Sequence, residues 1–237
     1  GDEQIKVMAC HRHQRKLRRG DHLANRFRIV LRNVGDGIDP DVLIEGLKGG
    51  FPNYFGPQRF GRHNLGDALY WLEHRRDPKV SRRLSRQQKG WHLSVLRSWI
   101  FNQLLVQRVQ DKSWQRCLDG DFTVTGSHGE LEPMGPLWGR GRDPLDAEAL
   151  RRQQCSFKQI QTPDGKQSLG EVCAALEHAG VDRGQRALGV RPWDVSCEQD
   201  LGEATLALSF CLPVGAYATV MLGQWFDLQD QSLVTSS

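Results

Sequence analysis

Apolar and polar residues alternate along two stretches of the chain, one near each end. Phe27, Ile29 and Leu31 alternate with Arg28, Val30 and Arg32, and the same period of two runs from Ala204 to Leu212. Because successive side chains of a strand point to opposite faces, both stretches are predicted to be half-buried strands. Weaker alternation predicts further strands over 4–10, 121–125 and 191–197.

Apolar residues spaced three and four apart predict a long, mostly buried helix between Trp91 and Val109. A second helix is marked by its ends. Asp39-Pro40 supplies an N-cap and a proline at the first helical position, and Gly49-Gly50 ends the helix near Lys48. Weaker patterns predict helices from Asn64 through Leu72, from Asp143 to about Gln154, from Ser168 to His178 and from Ala216 to Phe226. Glycine and proline predict loops over 51–61 and 130–142.

The composition is that of a folded globular protein, with 38% hydrophobic and 25% charged residues in 237. No apolar run approaches the roughly 18 residues that cross a bilayer, and the first residues carry no secretion signal. The six cysteines are scattered without a C-x-x-C pair, which is typical of reduced packing residues. We therefore expect a cytoplasmic protein without a membrane partner. The sequence does not determine the oligomeric state, and a monomer is the default expectation.

The net charge of +4 is concentrated in two basic stretches. The first runs from Lys6 to Arg32, where Asp21 is the only acidic residue, and the second runs from Arg75 to Lys89. Clustered basic charge is typical of a protein that binds a polyanion, although a solvated basic loop fits the charge equally well. Arginine outnumbers lysine in both stretches. This favours phosphate, because the planar guanidinium can bind it through two hydrogen bonds.

The segment Phe51–Gly61, FPNYFGPQRFG, has the most unusual composition of the chain. It contains three Phe, one Tyr, two Gly and one Arg without helical or strand periodicity. One interpretation is a recognition loop, in which rings stack on bases, glycines allow close approach and Arg59 contacts a phosphate or a base edge. The alternative is an Ω-type loop whose aromatic side chains fill a small core.

Phe27 has the same two interpretations. A phenylalanine on a half-buried strand is most often a core residue. Here it follows basic and amide side chains, so its ring could instead stack on an unpaired base at the edge of a basic groove.

The residues themselves supply no convincing nucleophile or metal site. His11-x-His13 lacks further ligands at a familiar spacing. Ser94 and Ser98 lie inside the predicted long helix, without a G-x-S-x-G elbow.

Several motifs occur in a fixed order along the chain. They are K-L-R-R-G at 16–20, N-R-F at 25–27, P-N-Y-F-G at 52–56, Q-R-F-G at 58–61, F-N at 101–102, G-D at 120–121, G-P-L-W-G at 135–139 and L-P-V-G-A-Y-A-T at 212–219. In these motifs and in their order, nearly the whole chain resembles the TruD family of tRNA pseudouridine synthases.

The resemblance implies an α/β (α+β) fold: the mixed, largely antiparallel sheet of pseudouridine synthases with flanking helices, interrupted by an inserted domain. Residues 1–50 and 186–237 would belong to the catalytic domain, and residues 51–185 would form the insert. The implied partner is tRNA. The implied reaction is the isomerisation of a uridine, at position 13 in the family's bacterial members, by base flipping and attack of an aspartate, without a metal or an organic cofactor.

In the family the phenylalanine of the N-x-F motif lies against the target base, which assigns that contact to Phe27, with Asn25 beside it. The residues expected to bind substrate are Lys16, Arg18, Arg19, Asn25, Phe27, Asn53, Tyr54, Phe55, Gly56, Gln58, Arg59, Phe60 and Gly61. The family's catalytic aspartate lies in a G-x-K-D type motif upstream of the basic stretch. These 237 residues contain no such motif, so we expect this chain alone to be inactive. The rival hypothesis is a catalytically silent tRNA-binding protein.

Overall fold

A computed structural model describes residues 10, 12, 16, 21–35, 37–126 and 130–229. The strands are β1 (Ala24–Arg32), β2 (Phe51–Pro52), β3 (Thr123–Thr125), β4 (Leu131–Leu137), β5 (Gly184–Ala187), β6 (Gly189–Val190), β7 (Trp193–Asp200) and β8 (Thr205–Pro213). The α-helices are α1 (Pro40–Lys48), α2 (Asn64–His74), α3 (Pro78–Ser81), α4 (Arg86–Gln110), α5 (Ala147–Gln159), α6 (Leu169–Glu177) and α7 (Ala218–Leu222). A 3-10 turn spans Pro57–Arg59.

The two alternating stretches of the sequence pair with each other. β1 runs antiparallel to β8, with Phe27 opposite Phe210, and β7 pairs with the other edge of β8. Leu206, Leu208 and Phe210 are fully buried on one face of this sheet, where they form a core with α1 and α7. The opposite face is exposed and carries the ion pairs Arg26–Asp194 and Arg28–Glu198.

A second core lies between the helices of the middle of the chain. Apolar side chains of α2, α4 and α6 pack together in it with Trp138. α4 also packs on β4, the central strand of the antiparallel sheet β3-β4-β5. The predicted long helix is therefore confirmed, and it is the element around which this part of the chain is built.

The short pair of β2 and β6 connects these two parts. Phe51 lies opposite Val190, and both side chains belong to the core of the first sheet. The predicted domain boundary at 185–186 falls inside β5, which pairs with β4. The segment on either side of this boundary is therefore structured rather than a free linker.

Helix ends follow the capping residues. Asp39 accepts hydrogen bonds from the first-turn N–H groups of Asp41 and Val42, as predicted from Asp39-Pro40. Ser168 begins α6 with a capping box that includes Glu171. α4 begins earlier than predicted because Ser85 and Gln88 form a second capping box at its start.

Other boundaries were wrong. The predicted loop over 130–142 contains β4, and β5 and β6 were not predicted. The helix expected from Asp143 begins only at Ala147, after Asp146 as its N-cap, and the helix expected over 216–226 is limited to α7. The strand predicted over 4–10 lies almost wholly outside the described residues. The fold class is confirmed, since the structure combines antiparallel sheets with flanking helices.

Candidate nucleic-acid interface

One face of α4 holds the Phe51–Gly61 segment. The half-buried Arg59 donates from Nε to Oγ of Ser98 over 3.2 Å and from Nη2 to Oγ of Ser94. Its guanidinium also lies over the Trp91 ring, 4.5 Å from the centroid. These three partners are three to seven positions apart, which brings them to one side of a helix with 3.6 residues per turn.

Asn102 continues the same face by a further turn and binds the backbone of Phe55. Its Oδ1 accepts the Phe55 N–H at 2.9 Å, and its Nδ2 donates to the Phe55 carbonyl at 3.0 Å. A primary amide can form both bonds because it carries a donor and an acceptor side by side. The segment is therefore anchored to the helix at two points, Phe55 and Arg59.

Asn53 is 5% exposed and anchors the beginning of the segment. Its N–H donates to the Leu188 carbonyl at 2.8 Å, and its Nδ2 donates to the Ala187 carbonyl at 2.9 Å. Its carbonyl and its Oδ1 both accept from Arg186. A buried amide with all of these groups paired favours a structural role for Asn53.

Arg186 joins three parts of the chain at this position. It donates from Nε to the Asn53 carbonyl at 3.1 Å and from Nη2 to the Gly215 carbonyl at 2.9 Å. Its guanidinium carbon lies 4.0 Å from the centroid of the Phe55 ring. Burial lowers the pKa of Arg186 to about 10; the positive charge of Arg59 also lowers this pKa, while Tyr217 opposes the shift.

The turn after β8 contacts the same segment from the other side. A Cβ on Gly56 would lie 2.9 Å from Cδ1 of Tyr217, so only glycine allows the observed approach of the two segments. Gln58 Nε2 donates to Oγ1 of Thr219 at 3.3 Å. Since Asn25 pairs with Leu212 at the end of β8, the start of β1 lies beside this turn.

Phe27 is half-buried. Its ring stacks on Phe210, with centroids 5.4 Å apart and planes inclined by 26°, at the margin of the first core. Packing against the core therefore accounts for the buried surface of the Phe27 ring, and the remaining surface of the ring is accessible. The contact of Phe27 with a target base stays a prediction.

The other predicted residues differ in their surroundings. Phe60 packs against the core of α2, α4 and α6. Tyr54 packs near Phe101, and burial raises the pKa of its hydroxyl. Gly61 is exposed with a positive φ of 52°. The core interpretation thus explains Phe60 and Tyr54, whereas Arg59 and Gln58 lie at the surface or near it.

The basic stretches are only partly described. Lys16 is exposed, while Arg18 and Arg19 lie outside the described residues. In the second stretch, Arg76, Arg82, Arg83 and Arg86 are exposed. Within the part of the chain that the structure covers, none of these four forms a salt bridge. They therefore present positive charge that acidic side chains do not neutralise.

One buried carboxylate, that of Asp121, makes structural contacts. Asp121 has 2% of its side chain exposed and accepts two hydrogen bonds of 2.9 Å from Arg108, with a third from the Leu118 N–H. A carboxylate held in this way cannot approach a substrate. Among the residues described, no group of three His, Cys, Asp or Glu is arranged to hold a metal ion. The described helices include none with the length and apolar character needed to cross a membrane.

The residues expected to bind substrate omit four residues of this arrangement: Ser94, Ser98, Arg186 and Tyr217. Of these, Tyr217 belongs to the motif at 212–219. One helix face could be recognised from residues three and four positions apart, namely Trp91, Ser94, Ser98 and Asn102, because the polar residues among them recur at helical intervals. Arg186 lies 133 positions from Asn53, and no local pattern indicates so distant a contact.

Comparison with known proteins identifies the family. Residues 3–76 match the family model described as tRNA pseudouridine synthase D (TruD). The chain is 34% identical to tRNA pseudouridine synthase D of Methylococcus capsulatus, over 97% of this chain and 67% of the relative. It is also 34% identical to the protein of that name from Xanthomonas campestris pv. campestris strain 8004, over 98% of this chain and 69% of the relative.

A crystal structure from Methanosarcina mazei assigned to tRNA pseudouridine synthase D (TruD) has a similar fold. The TM-score is 0.60 at 17% identity, over 89% of this chain and 70% of that chain. This likeness supports the fold, and the curated relatives support the family. The chain belongs to the TruD family, the tRNA pseudouridine synthase D proteins.

Proposed function

We propose that this protein is a tRNA pseudouridine synthase and that the described residues supply its RNA-binding and base-positioning part. The observation that carries the proposal is the contact of Arg186 with both Asn53 and Gly215. It joins the N-Y-F-G-x-Q-R-F-G segment to the end of β8, which is paired with Asn25 at the start of β1. Two of the family's motifs, far apart in sequence, thereby contact the same side chain.

In the proposed reaction a uridine of tRNA, at position 13 by analogy with the family, leaves its stack and lies against Phe27. Flipping exposes the base to a nucleophile, at the cost of unstacking. An aspartate then attacks C1′ as the N1–C1′ bond breaks, and the released base rotates. C5 bonds to C1′ as the aspartate leaves, the C5 proton is lost, and N1 gains a proton. No metal or organic cofactor takes part, because the carboxylate is the covalent catalyst.

We further propose that residues 1–50 and 186–237 form the catalytic domain and residues 51–185 the insert. Two of the buried clusters support this division, since one is formed by β1, β7 and β8 with α1 and α7, and the other by α2, α4 and α6. A third cluster, of Phe101, Leu105 and Leu188, lies across the proposed boundary. Cytoplasmic location and a monomeric state belong to the same proposal. Both can be tested by fractionation and by light scattering.

The nucleophile is the part that these 237 residues do not supply, because they contain no G-x-K-D motif. The buried carboxylate of Asp121 is paired with Arg108 and does not replace it. We therefore propose that the 237 residues alone bind tRNA without forming pseudouridine. The second candidate function is a catalytically silent tRNA-binding protein.

The experiment incubates unmodified tRNA transcripts with the chain alone and with the chain fused to a family segment that contains G-x-K-D. Pseudouridine is then mapped along each tRNA. Turnover by the fusion only, lost again when its aspartate is changed to asparagine, supports the synthase. Tight binding without turnover in either protein supports the silent binder. Absence of tRNA binding in both would contradict the two candidates together.

A further inference from the structure

The arginines buried among the helices differ in how their charge is balanced. Arg183 lies over the Trp138 ring at 3.6 Å, and Asp143 stands 3.1 Å from its Nη1, as an ion pair rather than an aligned hydrogen bond. Arg108 is paired with Asp121. Both therefore follow the general rule that a desolvated charge is accompanied by an opposite one.

Arg59 and Arg186 do not follow this rule. Both guanidinium groups lie against the same ring, Phe55, at 5.9 and 4.0 Å from its centroid. Their hydrogen-bond acceptors are hydroxyl, carbonyl and amide oxygens only. Across the described ranges, neither of them has a carboxylate partner. Two half-buried cations thus share one aromatic platform without a counter-charge.

This arrangement leaves room for an anion as the missing counter-charge. Burial and the neighbouring charge of Arg59 both lower the pKa of Arg186, which reflects the cost of holding two cations here. Each arginine also has an unused donor, since its Nη1 contacts no acceptor among the described residues. The two Nη1 atoms are absent from the buried unpaired polar atoms of the described chain, which means that both are open to solvent.

We propose that Arg59 and Arg186 together bind the RNA phosphate backbone next to the target nucleotide, with Phe55 as the platform between them. Guanidinium groups suit this ligand because their forked donors match phosphate oxygens. The location suits it as well, since Trp91 beside Arg59 is 42% exposed and Gly215 beside Arg186 follows the strand paired with Asn25. The inference rests on the proposed function, to which it adds the contacted group.

The test measures tRNA affinity of the full chain as a function of salt concentration. Each phosphate contact contributes about 0.7 to 0.9 to the slope of log K against log salt. Arg59→Gln and Arg186→Gln are each expected to reduce the slope by about that amount, and the double variant by about twice as much. The matched control is Arg140→Gln, which removes one positive charge from an exposed ion pair with Asp182 and should leave the slope unchanged.

A second measurement avoids dependence on the folding of the glutamine variants. The unchanged protein is titrated with tRNAs in which single phosphodiesters are replaced by neutral methylphosphonates. One or two linkages flanking the bound uridine should lower the slope by about 0.7 to 0.9. Arg186→Lys keeps the positive charge but loses the forked donors of the guanidinium. It should therefore retain the salt slope while its affinity for tRNA falls. The inference would be overturned if no single methylphosphonate changed the salt slope. It would also be overturned if Arg140→Gln and the double variant had equal salt slopes.

The two proposals fail in different ways. If tRNA binds with arginine-dependent slopes but the fusion with G-x-K-D forms no pseudouridine, the proposed activity is wrong and the phosphate site stands. If pseudouridine forms but the salt slopes are the same in the Arg59 and Arg186 variants as in the wild type, the phosphate site is wrong and the activity stands.

Discussion

The side chain of Asn102 pairs with the backbone of Phe55 through two hydrogen bonds, of 2.9 and 3.0 Å, as a neighbouring strand would. This contact connects the long helix α4 to the aromatic segment Phe51–Gly61. It satisfies a backbone N–H and a carbonyl that have little access to water, because both lie in a part-buried region. The position of Phe55, and of the two arginines against it, depends on this amide.

Asn102→Ala is expected to lower the free energy of unfolding by about 1–3 kcal/mol, since it leaves a donor and an acceptor of Phe55 unpaired. Asn102→Asp is the sharper variant. It preserves the acceptor for the Phe55 N–H but opposes the Phe55 carbonyl with a second acceptor, so it should also destabilise the protein. Urea unfolding of the three proteins measures this. Wild-type stability in Asn102→Asp would mean that the bond from Nδ2 contributes nothing.

Gly56→Ala tests the close approach of Tyr217. The added methyl group would lie 2.9 Å from Cδ1 of the Tyr217 ring and 2.8 Å from Oε1 of Gln58, so one of the two segments must move. We expect a loss of about 1–3 kcal/mol, the usual cost of overpacking. Gly90→Ala is the matched control, because nothing lies within 4 Å of its new Cβ and it sits inside α4. It should stabilise the protein by up to about 1 kcal/mol. Equal effects of the two changes would contradict the steric argument.

His92 should make the stability depend on pH. Burial lowers its pKa below the usual 6.5, with Asp67 opposing the shift, and its ring stacks on Trp71. The unfolded state then binds protons at a higher pH than the folded state. The contribution of His92 is therefore fully present above pH 6.5 and is lost as the pH falls toward the lower, folded-state pKa. His92→Phe retains a ring against Trp71 and removes the titration. As the pH is lowered from about 7 to 5, the melting temperature of this variant should fall less than that of the wild type.

The two basic stretches should contribute to RNA binding through charge alone. Arg82 and Arg83 are exposed and lack acidic partners among the described residues, and Arg18 and Arg19 form the corresponding pair of the first stretch. Replacing either pair with alanine should reduce the salt slope of tRNA binding by up to about 0.7 to 0.9 per contact. Binding should weaken for all tRNAs alike, because phosphate contacts carry no sequence information. An unchanged slope would remove that pair from the interface.

The elements predicted correctly are those that local chemistry determines. Asp39-Pro40 and Gly49 determine α1, and apolar spacing determines α4. β4 was missed because Pro133 and Pro136 are typical of loops. The first half of the strand pairs with β3 and its second half with β5. Pro133 has no N–H to donate, but its carbonyl still accepts from the Leu188 N–H at 3.0 Å.

The site divides in the same way. Its aromatic and glycine residues could be found from composition and from the family motifs, which is why the segment Phe51–Gly61 was singled out. The contacts that orient it could not, because Arg186, Gly215 and Tyr217 meet it only after more than a hundred intervening residues have folded. Long-range contacts of this kind leave no periodic trace in the sequence.

Phe27 gives the most direct test of base recognition, since its ring contacts the core on one side only. Phe27→Leu keeps most of the apolar volume against Phe210 and removes the flat surface on which a base could stack. We expect the free energy of unfolding to fall by about 0.5–1.5 kcal/mol, the usual worth of the lost ring pair, because Leu keeps most of the apolar contact. Affinity for tRNA should fall by an amount equivalent to about 1–3 kcal/mol, the usual worth of one base–ring contact. Phe27→Tyr, which keeps the flat ring and adds a hydroxyl at a half-exposed position, should bind as the wild type does. A Phe27→Leu protein with lower stability and unchanged tRNA affinity would establish Phe27 as a core residue and end its assignment to the target base.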